Sequence, residues 1–390
     1  MKGIKKNVKK NNKALKLNKK RKRKQTKAQK NQNNKKMMKE KERVLKNNKK
    51  IMNSSNPIHL SYFDIKFNNS YAAMNTNNTF IVFNSIDNIL IIIYRTEENS
   101  IIAYDLINNK KIIEIKKAHE EEIINFRHFY DAINKRDIIL SISKDDDNIK
   151  LWNPANWECI NNILGIYRSG VLTSACLFEE NNQNYILTST DANSNLIKII
   201  DFDGKKIKFL NDSKDKTYYI DYYYDNNLYK PFVVTGNDRY IKSFDYNLNK
   251  VYHTYYDKNH DNFEHDRIIV YNSGDITKII ECTLINGINI WDFHSGKLLT
   301  NIFDPLGYGG KYDICLWNHE YLFVGVGNKI KLLEIKKQKI IKELIGHNEN
   351  PITIKTFLHP KYGECLISQG LHNDRIILWI NRNINKKLFT

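Results

Sequence analysis

The residues in this chain that could do chemistry are few and dispersed. Asp145, Asp146 and Asp147 form one acidic run. Carboxylates suit a hard cation, but a calcium loop spreads its oxygens over roughly twelve residues and this turn does not. The run reads as a solvated hairpin turn. His253, His260 and His265 are spaced by seven and five, with no cysteine beside them. That is not a zinc spacing, so they are expected in a surface loop. Gly307, Gly309 and Gly310 lack the lysine of a phosphate-binding loop and read as a connecting turn. Cys159, Cys176, Cys282, Cys315 and Cys365 are odd in number and show neither a disulfide framework nor a Cys-x-x-Cys pair. They are expected to be buried small apolar residues of an intracellular protein. No nucleophile, base and acid fall in a usable order. No catalytic residue, metal site or cofactor is therefore expected, and the chain does not read as an enzyme.

The elements that would position such residues are repetitive. Seven short apolar runs end in a large residue followed by a turn: Tyr104, Trp152, Ile200, Phe244, Trp291, Leu333 and Trp379. Successive intervals are 48, 48, 44, 47, 42 and 46 residues. A period in that range, built from short strands, is the signature of a β-propeller. Unit two runs from Asp137 to Ser143, turns, and resumes from Asn148 to Trp152. Units four and six repeat the hairpin at Phe232–Gly236 with Tyr240–Asp245, and at Tyr321–Gly325 with Lys329–Leu333. No stretch sustains helical spacing of apolar residues.

The motifs resemble those of the WD-repeat family over roughly residues 57–390. Trp291 and Asp292, followed by Phe293-His-Ser-Gly-Lys297, look like the Trp-Asp strand end and its turn. Gly346-His347, 32 residues before Trp379, is similar to the Gly-His pair that opens a repeat, and Ala118-His119 is a degenerate copy before Trp152. The resemblance implies an all-β, seven-bladed WD-repeat propeller with a disordered basic N-terminal tail. It also implies a hydrogen-bonded brace of His119, Asp146 and Trp152 in one blade, and of His347, Ser368 and Trp379 in another. Asn373 stands where the family places an Asp, a departure in the second brace. Asp238 belongs to the same signature in unit four. These are fold residues, because buried polar groups inside a sheet need each other as partners.

After Trp379 too few residues remain for a full outer strand. Residues 57–67 read as an unassigned strand that pairs beside the last blade and closes the ring. In the Tyr218–Tyr224 run, alternation over Tyr218, Ile220 and Tyr222 predicts one buried face, with Tyr219 and Tyr223 against a neighbouring blade. Tyr223 and Tyr224, at the strand end, are the candidates for contact with a partner.

Charge divides the chain at about residue 52. Residues 1–50 hold 23 Lys or Arg and two acids, whereas the rest holds 39 bases and 41 acids. The segment 1–52, without aromatics, is expected to be disordered alone. Lys19, Lys20, Arg21, Lys22, Arg23 and Lys24 form a basic run of the nuclear-import type, which also suits contact with nucleic-acid phosphates. Anionic membrane or cytoskeletal contact and simple compositional drift are the competing readings. No apolar run is long enough to span a bilayer, so no integral membrane segment is expected. The composite reading is a non-enzymatic scaffold that binds proteins or peptides through the propeller faces. It works in a nuclear, including nucleolar, or ribonucleoprotein assembly, with RNA reached through the tail. The alternative is a cytoplasmic signalling or ubiquitin-ligase adaptor with the tail incidental.

Overall fold

Isoleucine, valine and aromatic residues dominate the runs between the turns, and such side chains pack best on a pleated surface. In the computed structural model those runs become 28 strands in seven four-stranded antiparallel sheets. The structure describes residues 60–65, 80–96, 98–144, 147–167, 170–191, 197–210, 216–256, 267–274, 276–283, 287–302, 313–370 and 376–381. The strands all lie in the compact unit His59–Thr390 and contain no helix among the described residues. The protein is an all-β, seven-bladed propeller.

Six blades are meanders of consecutive strands. Blade 2, for example, consists of Ile123–Asp131, Arg136–Ser143, Ile149–Asn153 and Glu158–Ile163. The seventh is built differently. Its inner three strands are Pro351–His359, Gly363–Gly370 and Ile376–Asn381, and its fourth is Leu60–Ile65 from the other end of the chain. Leu60 pairs with Asn381 and Ile65 with Ile376, antiparallel and without a register break. The closing strand anticipated at residues 57–67 thus occupies the outer edge of the last blade.

The seven marks read from the sequence have a common structural position. Each sits on a third strand opposite an aliphatic residue of the second, as Trp152 faces Ile139, Trp291 faces Ile279 and Trp379 faces Leu366. In blades 1 to 6 the register with the fourth strand shifts at that residue, between Leu151 and Trp152 for instance, and again between Ile290 and Trp291. A bulge bends the strand and increases its twist, which lets each sheet flare from the axis outward. Blade 7, whose fourth strand comes from the N-terminal side, has no bulge there.

The core lies between blades rather than within any one of them. Ile138, Leu140 and Leu151 of blade 2 pack on Leu172, Ala175 and Ile186 of blade 3. Phe80, Leu90 and Ile92 of blade 1 meet Ile367 and Ile376 of blade 7, so the ring is shut by packing as well as by pairing. The seam between blades 6 and 7 adds polar contacts, with Trp317 Nε1 donating to Glu364 Oε2 at 2.7 Å and the Ile354 amide donating to Asp313 Oδ2 at 2.5 Å.

The tyrosine run follows this logic. Its strand is covered on both faces, as the alternation predicts: Tyr222 stacks on Phe178 of blade 3 at 4.4 Å, while Tyr223 packs on Phe293 of blade 5 at 5.5 Å. His253 is a strand residue of Lys250–Tyr255, packed on Tyr252, rather than a loop residue. His260, His265 and the glycines at 307, 309 and 310 lie outside the described residues. Of the five cysteines expected to be buried, Cys315 is half-buried and Cys159 is exposed, the latter because its strand is the outermost of blade 2.

Candidate functional site

Blades 2 and 7 carry the same polar hub. His119 Nε2 lies 2.7 Å from Ser141 Oγ, and Trp152 Nε1 donates to that oxygen at 2.8 Å. His347 Nε2 and Trp379 Nε1 meet Ser368 Oγ at 2.7 and 2.8 Å. All six side chains are buried. The shared oxygen in blade 2 is Ser141, which the sequence did not single out. Asp146 lies outside the described residues, as do Lys19 to Lys24. Burial, with Lys150 as a second cause, lowers the His119 pKa to about 3, so the imidazole is neutral at physiological pH. A neutral, buried ring bonded to Ser141 stabilises the blade and has no access to a substrate.

The register shows how other blades vary the hub. Opposite the same point of the inner strand, blade 3 has Thr188, blade 5 has Glu281 and blade 6 has Val324. Tyr167, 33 residues before Ile200, takes the histidine's role: its hydroxyl bonds Thr188 Oγ1 at 3.0 Å and the Thr188 carbonyl at 2.8 Å. Lys198 then donates to the Ile166 carbonyl, as Lys150 does to that of Ala118. In blade 5, buried Glu281 accepts from Trp291 Nε1 at 2.9 Å and from Asn289 Nδ2 at 2.8 Å. An acid inside the apolar strand Ile276–Thr283 was the signal available for it.

The turn residues are also accounted for locally. Asp292 Oδ1 accepts the Ser295 amide at 2.7 Å, and Gly296 closes the turn at a φ of +70° that a side chain would disfavour. Burial alone would raise the Asp292 pKa, but the hydrogen bonds from Ser295 and His294 outweigh it and hold the carboxyl below its usual range. In the blade 4 turn, Asn237 Oδ1 accepts the amides of Arg239 and Tyr240 at 2.8 and 2.9 Å, so Asn237 shapes that turn beside Asp238. The hubs and turns brace the fold.

Two surfaces remain that something else could contact. One is the end of the ring formed by turns between first and second strands and between third and fourth strands. Large apolar side chains gather there: Ile133 in blade 2, Tyr224, Leu228, Tyr229 and Leu248 in blade 4, and Leu358 in blade 7, all exposed. Tyr229 is 81% exposed, and it adopts a φ of +52°, rare for a bulky residue. Tyr224 is exposed at this end of the ring, whereas Tyr223 is turned inward with its hydroxyl 3.3 Å from Thr277 Oγ1. The other is a cavity of about 240 Å³ in the central channel, lined by side chains from inner strands of five blades, Arg127, Tyr219, Asp221, Arg267, Asp313 and Lys355 among them.

Among the described residues no group of three His, Cys, Asp or Glu is placed to hold a metal ion, and no helix is long and apolar enough to cross a membrane. No protein-family model matches the chain, and no curated protein matches it. The class that the structure defines is therefore the β-propeller, a fold commonly used as an interaction scaffold.

Proposed function

We propose that this chain is a divergent WD-repeat propeller acting as a non-enzymatic assembly scaffold in a nuclear or ribonucleoprotein complex. The observation that carries the scaffold reading is the turn face. Exposed tyrosines and leucines concentrated at one end of a rigid ring are what a protein-docking surface requires, since large apolar side chains in a patch gain most from desolvation by a partner. The His–Ser–Trp hubs of blades 2 and 7 support the family reading. The basic run Lys19 to Lys24 supports the nuclear one, as an import address or a phosphate contact.

The test has two arms. In cells, replacing Lys22, Arg23 and Lys24 by Ala abolishes nuclear accumulation of the tagged chain; accumulation that persists counts against the address. In pull-downs quantified by mass spectrometry, Leu228→Asp with Tyr229→Asp removes specific protein partners while leaving the melting temperature unchanged. A partner set identical to that of the native chain refutes docking at the turn face.

A further inference from the structure

The channel cavity is built by register. Inner-strand residues Phe126, Ile220, Ile268, Ile314 and Ile354 each pair with the hub position of their blade, so they stand at one height around the axis. The residues just before them include Tyr219, Arg267 and Asp313, and those just after include Arg127, Asp221 and Lys355. Two adjacent tiers of charge thus meet in the cavity.

The charges are not equally committed. Asp313 accepts the Ile354 amide at 2.5 Å and stands 3.5 Å from Arg267 Nε. Asp221 accepts the Tyr219 hydroxyl at 3.0 Å and the Tyr222 amide at 3.0 Å. Burial holds the Tyr219 phenol protonated as that donor, its pKa well above the usual value. Arg127 donates through Nε and Nη2 to the carbonyls of Ala175 and Ile220, at 3.2 and 3.4 Å, which are neutral acceptors. Lys355 has no ion-pair or hydrogen-bond partner for its ammonium among the described residues. Both carboxylates are therefore occupied by donors; the Asp221 charge also acts on Arg127, and the least committed cation is Lys355. Among the described lining residues three cations stand against two carboxylates, one more positive than negative group, in a cavity large enough for a side chain.

We propose that this cavity receives one carboxylate of an acidic peptide, with Lys355 and Arg127 as the groups that pair with it. This rests on the reading of the chain as a peptide-binding scaffold and adds a ligand class and a site to it. The charge count selects a carboxylate over a phosphate. A monoanion balances the surplus, whereas a dianion would face Asp221 and Asp313 across a low-dielectric cavity where like charges repel strongly. A basic peptide would find both carboxylates already bonded.

The probe is a fluorescein-labelled peptide of alternating Glu and Gly, titrated by anisotropy into the full-length chain at about 150 mM salt, which screens non-specific attraction to the basic residues 1–52. Lys355→Gln weakens binding about tenfold or more, the effect of losing a charge-assisted contact, and leaves the thermal midpoint unchanged because Lys355 holds nothing in the fold. If Lys355→Gln lowers that midpoint, Lys355→Arg decides: retained binding supports the proposal and lost binding overturns it. Unchanged affinity in Lys355→Gln overturns it, as does no binding by the native chain, or displacement of the probe by inorganic phosphate as readily as by unlabelled peptide. Those outcomes leave the scaffold reading standing, because it is tested at the turn face, on Leu228 and Tyr229.

Discussion

Removing one oxygen from the blade 2 hub has a calculable cost. Ser141→Ala leaves the Trp152 Nε1–H without its acceptor at 2.8 Å and His119 Nε2 without its partner at 2.7 Å. Both rings are buried, so water cannot replace the lost bonds. An orphaned buried polar group costs about 1–3 kcal/mol, which puts the loss of two at about 2–6 kcal/mol. Ser243 supplies an internal reference. It is equally buried and bonds Tyr255 OH at 3.1 Å, but that hydroxyl also donates to the Phe293 carbonyl at 2.6 Å. Ser243→Ala therefore orphans nothing and costs about 1 kcal/mol. Urea unfolding followed by tryptophan fluorescence compares the two. A Trp152→Phe background, which deletes the donor, reduces the Ser141→Ala penalty, and the difference gives the coupling directly. Ser141→Ala no more costly than Ser243→Ala, or an unchanged penalty in the Phe background, would refute the hub as the origin of blade 2 stability.

Stability also depends on pH through His119. Its pKa in the fold is lowered to about 3, whereas an unfolded histidine titrates near 6.5. The unfolded chain takes up the proton first, so the contribution is complete above pH ~6.5 and declines by up to ~1.4 kcal/mol per unit as pH falls toward 3. Urea midpoints measured between pH 7 and 5 fall accordingly, and His119→Gln flattens that slope. Tyr62→Pro with Phe63→Pro places a missing amide on the inward side of the closing strand whichever way it faces, since neighbouring residues alternate. The thermal midpoint drops, as read by calorimetry. Gly325→Ala drives a Cβ to 2.5 Å from the Pro351 carbonyl oxygen, a backbone atom that cannot swing away. It costs about 1–3 kcal/mol by chemical denaturation and loosens the seam between blades 6 and 7.

The propeller was legible because its signal is local and repeated. A strand end with a bulky residue every 42 to 48 positions survives even where Trp has become Ile200 or Leu333, since each still fills the space beside the bulge. The hubs were only partly legible. Ser141 looks like any strand serine, and its partners lie 22 and 11 residues away on separate segments that only the sheet register unites. Tyr167 carries no motif, although its interval of 33 residues to Ile200 matches that of His119 to Trp152. The cavity was illegible for the same reason in stronger form. Arg127, Asp221, Arg267, Asp313 and Lys355 span more than half the chain and become neighbours only through circular symmetry.

The closing strand has a consequence in time. Among the described strands Leu60–Ile65 is the first to be synthesised, and its partner Ile376–Asn381 is the last. At about 5–20 residues per second, the early strand waits tens of seconds for its mate. During synthesis the nascent chain is an open arc with an unpaired hydrogen-bonding edge at each end, and no arrangement of the first six blades can satisfy both. Maturation of this protein is therefore a single late event of very long sequence separation, slow by the same topology that makes the finished circle hard to open.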